Sequence, residues 1–213
     1  MAEQVMTDIA ALRRSPLAHL EEAIREGAVS GERGVSLREI PFLNMVGLRA
    51  EPGSAGAKAL EAALGIPLPA GHGQVTGTVD GTALLWLGPD EFLLVGPEGS
   101  NATAALTEAL GAEPGAVVDL SANRTTLELS GPSARAVLEK GCHVDLHPRA
   151  FTPGSAVMTQ LGPVPVLLWQ TAQQEGAEGG SQTYRILPRA SFADYTARWL
   201  LDAMTEFASP EVP

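Results

Sequence analysis

The sequence predicts an α+β fold, internally duplicated, with mostly antiparallel sheets and helices. Three observations carry that expectation. Leu48-Arg-Ala-Glu-Pro-Gly-Ser-Ala55 lines up with Leu127-Glu-Leu-Ser-Gly-Pro-Ser-Ala134, each a strand end running into a turn and a helix start. Leu84-Leu-Trp86 and Phe92-Leu-Leu-Val95 then match Leu167-Leu-Trp169 and Tyr184-Arg-Ile-Leu187, and Leu106-Thr-Glu-Ala-Leu110 matches Leu200-Leu-Asp-Ala-Met204. Local signals, read independently, place the same order of elements in both halves.

At the N-terminus, Ser15-Pro16 opens an amphipathic helix with Leu17, Leu20 and Ile24 on one face, and 27–34 reads as a flexible connector. Strands are expected over 35–40 and 45–50. Ser54 caps a helix that places Leu60 and Leu64 one turn apart before Gly65 and Pro67 stop it. Strands near 74–79, 82–87 and 91–96 follow, joined by Asp80-Gly81, read as a two-residue hairpin turn, and by Gly88-Pro89-Asp90. Asn101 caps a short helix carrying Leu106 and Leu110 and ended by Gly111. In the second half Pro132 stands at a helix start and Gly141 just past its end. Ser191 and Asp194 have capping-box spacing for a last helix, whose Phe192, Trp199, Ala203 and Phe207 form a broad apolar face. Residues 1–34 are thus expected to form an arm, and 35–213 one pseudo-two-fold domain with halves at about 35–111 and 117–207.

Composition excludes several function classes. With 14 Lys+Arg against 25 Asp+Glu, the formal net charge is −11, so nucleic acid and anionic membrane surfaces are poor partners. The chain has 45% apolar and 18% charged residues, as ordinary globular proteins do. It shows neither a membrane-length apolar run nor a leader pattern, and a cytoplasmic location is expected. Its single cysteine, Cys142, agrees with a reducing compartment.

Few residue clusters suggest chemistry. Cys142-His-Val-Asp-Leu-His147 is the densest run of metal-ligand types, and in an extended chain His143, Asp145 and His147 share a face. Ligands two residues apart on one strand are uncommon, so a connector strand with polar outer residues is the favoured reading. Cys142 is then a small core residue. There is no G-x-S-x-G elbow, and with His19 in the arm and His72 in a loop no strong triad case emerges. The stretch Gly176-Ala-Glu-Gly-Gly180 lacks a phosphate-loop signature and reads as a solvated loop. Trp86 and Trp169, matched in the repeat, read as core packing. Arg124, in Asp119-Leu-Ser-Ala-Asn-Arg124, is placed either to bond Asp119 or the backbone internally or to hold a ligand carboxylate, the internal contact being favoured.

Six landmarks in order resemble the gamma-subunit family of heterotetrameric sarcosine oxidases, across nearly the whole chain. They are Arg14-Ser-Pro-Leu-Ala18, Trp86-Leu-Gly-Pro-Asp-Glu-Phe92, Val118-Asp-Leu-Ser-Ala-Asn-Arg124, Gly131-Pro-Ser-Ala134, Lys140-Gly-Cys-His-Val-Asp-Leu-His-Pro148 and Pro188-Arg-Ala-Ser-Phe-Ala193. The resemblance implies a fold like the folate-binding domain of the glycine-cleavage aminomethyltransferase. It also implies a place in a complex that demethylates sarcosine to glycine with hydrogen peroxide and, given tetrahydrofolate, methylene-folate. On the same resemblance FAD and FMN belong with the beta subunit, FMN at its boundary with alpha, NAD and tetrahydrofolate with alpha, and zinc with delta.

This chain is therefore expected to carry no catalytic residue, cofactor or metal, and to contact the alpha subunit directly within the complex with beta and delta. The alternative is an autonomous folate-binding, aminomethyltransferase-like one-carbon protein, against which the chain offers few basic residues for a polyglutamate tail. The candidate partner-interface residues are Arg13, Arg14, Leu17, Leu20, Ile24 and Arg124. For the helical part of the arm, packing on a partner competes with covering the domain's own sheet.

Overall fold

The computed structural model describes residues 12–174 and 180–209. The stretch 176–180, read above as a solvated loop, lies outside them except for Gly180. Among these residues ten strands form two five-stranded antiparallel sheets. One contains β3 (Val75–Gly77), β4 (Ala83–Gly88), β5 (Glu91–Gly96), β2 (Asn44–Arg49) and β6 (Ala116–Asp119), in that order. The other contains β1 (Ser36–Ile40), β7 (Thr126–Gly131), β10 (Ser181–Pro188), β9 (Val164–Gln174) and β8 (Ala156–Leu161). Helices α2 (Ala55–Leu64) and α3 (Ala102–Leu110) cover the first sheet, and α4 (Ala134–Glu139) and α5 (Ala193–Ala208) the second.

The two sheets exchange strands. β1 precedes β2 in the chain yet pairs with β7, and β6 precedes β7 yet pairs with β2. Each half therefore lends its first strand to the sheet built by the other. A third apolar layer lies between the sheets, made by Met45, Leu85, Leu93 and Val95 from one and Ala156, Leu167, Trp169 and Leu187 from the other.

The two tryptophans break the repeat alignment. Opposite Phe92 stands Trp86, but opposite its counterpart Tyr184 stands Gln170, and Trp169 faces Arg185. Trp86 accordingly packs toward α2 and α3, while Trp169 points between the sheets. A one-residue slip reverses the face of every side chain, so the matched Leu-Leu-Trp runs are a coincidence of composition, although the strand topology does repeat.

Three local expectations also change. Ser54 does cap α2, accepting from Ala57 N–H at 3.1 Å. Asn101 makes no capping bond; the side-chain oxygen of Asn44 accepts from Ala102 N–H at 3.3 Å instead. The Ser191/Asp194 pair does not form a capping box, because a 3₁₀ turn over Ala190–Phe192 leads into α5 and Asp194 bonds elsewhere. The β3–β4 link closes as a wider turn, with Thr78 N–H donating to the Thr82 carbonyl at 3.0 Å.

The largest correction concerns the N-terminal segment. Leu17, Leu20 and Ile24, expected as partner-interface residues, are 1%, 5% and 6% exposed and belong to the chain's own core beneath α5 and β1. A 3₁₀ turn (Ala18–Leu20) and α1 (Glu21–Glu26) carry them. Their physical reason is the edge of β1: a six-residue helix is unstable alone, and burying three large apolar side chains against the exchanged strand both stabilises it and covers an open sheet edge. His19 Nε2 to Asp194 Oδ1 at 2.7 Å adds a tie to α5. Leu20→Ala is expected to destabilise the isolated chain by about 2–5 kcal/mol in urea unfolding, and removing residues 1–30 to lower its melting temperature sharply. Unchanged stability in both would show that the segment does not belong to this core.

Candidate functional site

Arg124 and the neighbours Arg13 and Arg14, far from it in sequence, line one cavity of about 340 Å³ with Pro16, Phe42, Asp119, Ser121 and Thr125. Three connections build it. The chain entering the N-terminal helix supplies Arg13 and Arg14, the β1–β2 turn supplies Phe42, and the link from β6 to β7 supplies Asp119 to Thr125. Phe42 holds a left-handed φ of 60°, a conformation with a cost for an aromatic residue, and the Arg13 guanidinium lies 4.2 Å over its ring.

The link itself is tied down through Ser121. Its hydroxyl accepts from Met45 N–H at 3.1 Å and donates to Asp119 Oδ1 at 2.7 Å, while Ser121 N–H donates to the same oxygen at 2.9 Å. These bonds, the side-chain one foremost, hold the Asp119 carboxyl below its usual range. The expected Asp119 to Arg124 contact is therefore not made, and the backbone alternative is: Arg124 Nη1 donates to the Leu187 carbonyl at 2.8 Å. Backbone pairing of Arg124 with Arg189 brings a second guanidinium close, and burial followed by that like charge lowers the Arg124 pKa. Arg189 Nη1 donates to Asn123 Oδ1 at 3.2 Å.

The residue run Cys142–His147 is not a strand beyond one bridge from Cys142 to Leu161. Asp145 accepts from His147 N–H at 2.9 Å, and His147 Nδ1 accepts from Arg149 N–H at 3.2 Å, so both side chains brace their own loop. Among the described residues no three His, Cys, Asp or Glu side chains converge as a metal site. Burial pushes the Cys142 thiol up, which disfavours the nucleophilic thiolate. His72 packs edge-on against Trp86, with ring centroids 5.5 Å apart.

Sequence reasoning missed Phe42 and Arg189, whose relevance depends on the fold. It also missed the apolar surroundings. Among the described residues the large exposed apolar side chains are Leu12, Val118, Met158, Phe192 and Tyr195. Leu12 and Val118 adjoin Arg13 and Asp119 in the chain, and Met158 Sδ lies 4.0 Å from Arg124 Nη2. Phe192 N–H donates to the Arg189 carbonyl at 2.8 Å.

Comparison with known proteins gives one consistent result. The family model described as "Sarcosine oxidase, gamma subunit family" matches residues 47–206. Sarcosine oxidase subunit gamma of an Arthrobacter species is 54% identical over 212 residues, with 100% of both chains covered. The subunit gamma of Corynebacterium sp. (strain U-96) is also 54% identical over 212 residues. A chain in the solved heterotetrameric sarcosine oxidase from Corynebacterium sp. U-96, in complex with pyrrole 2-carboxylate, superposes with a TM-score of 0.88 at 54% identity, covering 95% of this chain and 100% of that one. Glycine cleavage system aminomethyltransferase T from Bartonella henselae shares the fold, with a TM-score of 0.61 at 20% identity over 89% of this chain and 57% of that one.

The Ser121 clamp is directly measurable. Because the folded-state Asp119 pKa is depressed, its contribution to stability is present above the unfolded value and is lost as pH falls through the folded one. Carbon-detected NMR titration is expected to place the Asp119 midpoint below that of an unstructured aspartate, and Ser121→Ala to move it up. An unmoved midpoint in Ser121→Ala would contradict the clamp.

Proposed function

The chain belongs to the sarcosine oxidase gamma subunit family, and from that premise we propose that it serves as a non-catalytic assembly subunit of a heterotetrameric sarcosine oxidase, seated on the alpha chain. The observation that carries this reading is full-length identity of 54% to subunit gamma chains, together with the match to a chain of the solved heterotetramer. The complex would convert sarcosine and dioxygen to glycine and hydrogen peroxide, with the methyl carbon passing to tetrahydrofolate as methylene-folate. FAD, FMN, NAD, tetrahydrofolate and zinc would be held by the other subunits, in the cytoplasm. No helix among the described residues is long and apolar enough to cross a membrane.

Two features of the chain support a structural role. Three of its four histidines and its cysteine are engaged in structural contacts: His19 bonds the Asp194 side chain, His72 packs on Trp86, His147 braces its own loop, and Cys142 packs against the core. The basic cavity with its apolar surroundings is suited to recognition rather than to bond making, since its carboxylate, Asp119, is bonded to Ser121 and is thereby kept a weak base. The likeness to aminomethyltransferase T, at 20% identity, concerns the fold and does not favour an autonomous folate enzyme.

Coexpression of the four subunits with and without this chain tests the proposal. Omitting it is expected to lower the yield of assembled oxidase while sarcosine turnover per assembled flavin stays within about twofold. Turnover abolished in a complex otherwise normal in composition and flavin content would place chemistry in this chain and overturn the non-catalytic reading.

A further inference from the structure

We propose that the arginine-lined cavity is the seat for an acidic, apolar-flanked segment of a partner subunit, with Arg14 and Arg124 holding a carboxylate of that segment. This rests on the subunit reading above and adds to it the chemistry of recognition.

The charge count points first to a ligand. In a chain of net charge −11, three guanidinium groups line a cavity of about 340 Å³ and Arg189 stands beside it. The one carboxylate in the wall, Asp119, is turned to Ser121. Gathering like charges is unfavourable where they are unpaired, and of the three lining guanidinium groups only Arg13 has an ion pair among the described residues, with Glu98, so the cluster needs a reason.

Internal duties account for only part of it. Arg13 bonds Glu98 at 3.1 Å and stacks on Phe42, which fastens the N-terminal segment. Arg124 uses Nη1 on the Leu187 carbonyl, and its Nη2 has only the sulfur of Met158 at 4.0 Å. Arg14 has no hydrogen-bond or ion-pair partner among the described residues. Two guanidinium edges thus remain available, and a planar fork of donors matches a carboxylate.

The surroundings decide between a free anion and a protein segment. Of the exposed large apolar residues, Leu12 adjoins Arg13 in the chain, Met158 Sδ lies 4.0 Å from Arg124 Nη2, and Phe192 N–H donates to the Arg189 carbonyl. Apolar side chains around arginines are the composition of a protein interface, whereas a small anion gains nothing from them. Polyanions are disfavoured by the chain's own charge.

The test uses the four-subunit complex. Binding of the full chain to the assembly of the other subunits is measured at two salt concentrations, for the wild type, Arg14→Glu, Arg124→Glu, Arg14→Lys and a control, Arg49→Glu. Arg49 lies at the end of β2 remote from the Met45 contact with Ser121 and bonds Glu91. Arg14→Glu and Arg124→Glu are each expected to weaken binding roughly tenfold or more, with a reduced salt dependence. Arg14→Lys should keep part of the affinity, and Arg49→Glu should bind as the wild type does. Because Arg124 also ties down Leu187, Arg14→Glu is the deciding variant, and its unaltered melting temperature in isolation is the check on folding. Wild-type affinity in both cavity variants would overturn this inference alone. Failure of the wild-type chain to bind the other subunits would overturn the subunit reading, and this inference with it. NMR shifts of the arginine side-chain N–H groups on adding acetate, accompanied by variants that assemble normally, would assign the cavity to a free carboxylate and likewise overturn docking.

Discussion

The exchange of β1 and β6 between the two sheets is the constraint on which the rest of the structure depends. A half that kept its own first strand would close its sheet locally; here each sheet is completed only by a strand from the other half. The chain must therefore cross between sheets twice, and both crossings lie at the candidate site. The turn after β1 delivers Phe42, and the link after β6 delivers Asp119 through Arg124. The arginine-lined cavity forms where the topology already requires irregular backbone, on loops held by a rigid scaffold.

Although the topology repeats, the two sheets do not present the same face to each other. Across β1, β7, β10, β9 and β8 runs the row Arg38, Glu128, Arg185, Trp169 and Ala156, directed toward the intersheet layer. In the first sheet the matching positions on β2, β5 and β4 are Gly47, Leu93 and Leu85. Glu128 accepts from Arg38 Nε at 2.8 Å and from Arg185 Nε at 3.4 Å. Arg185 also lies 5.3 Å over the Trp169 ring and donates to the Val79 carbonyl at 3.2 Å, in the β3–β4 link of the other half. Such a buried pair adds little net stability over an apolar replacement, but breaking it strands a charge at a cost of about 3–5 kcal/mol. Nearby, the buried Thr126 hydroxyl and Trp169 indole N–H have no acceptor among the described residues, each a penalty of about 1–3 kcal/mol. The row acts on geometry, joining the second sheet to a loop of the first.

Much of this fold was legible because its signals are local. Ser54 and Gly65 bound α2, Pro89-Asp90 joins two strands, and the order strand, helix, meander, helix recurs. What local pattern does not contain is which sheet a strand joins: nothing in Ser36–Ile40 or Ala116–Asp119 distinguishes pairing at home from pairing across. The Trp86 to Trp169 mismatch has the same origin, since composition aligned two runs that pairing sets one residue apart. For the N-terminal helix, the apolar stripe was read correctly as a packing face, but its partner, the β1 edge, exists only after the exchange. Arg124 was recognisable from its loop of polar residues, whereas its meeting with Arg13 and Arg14 was not, because the crossings alone bring them together.

Strand exchange makes the two halves one cooperative unit. Native-state hydrogen exchange across a denaturant series tests it most directly, by following amides of β5 and β10, one central strand from each sheet. Mutual completion of the sheets predicts that the two sets open only together, with opening free energies that converge on the same global value. Amides of one strand exchanging through an opening that leaves the other sheet protected would contradict it.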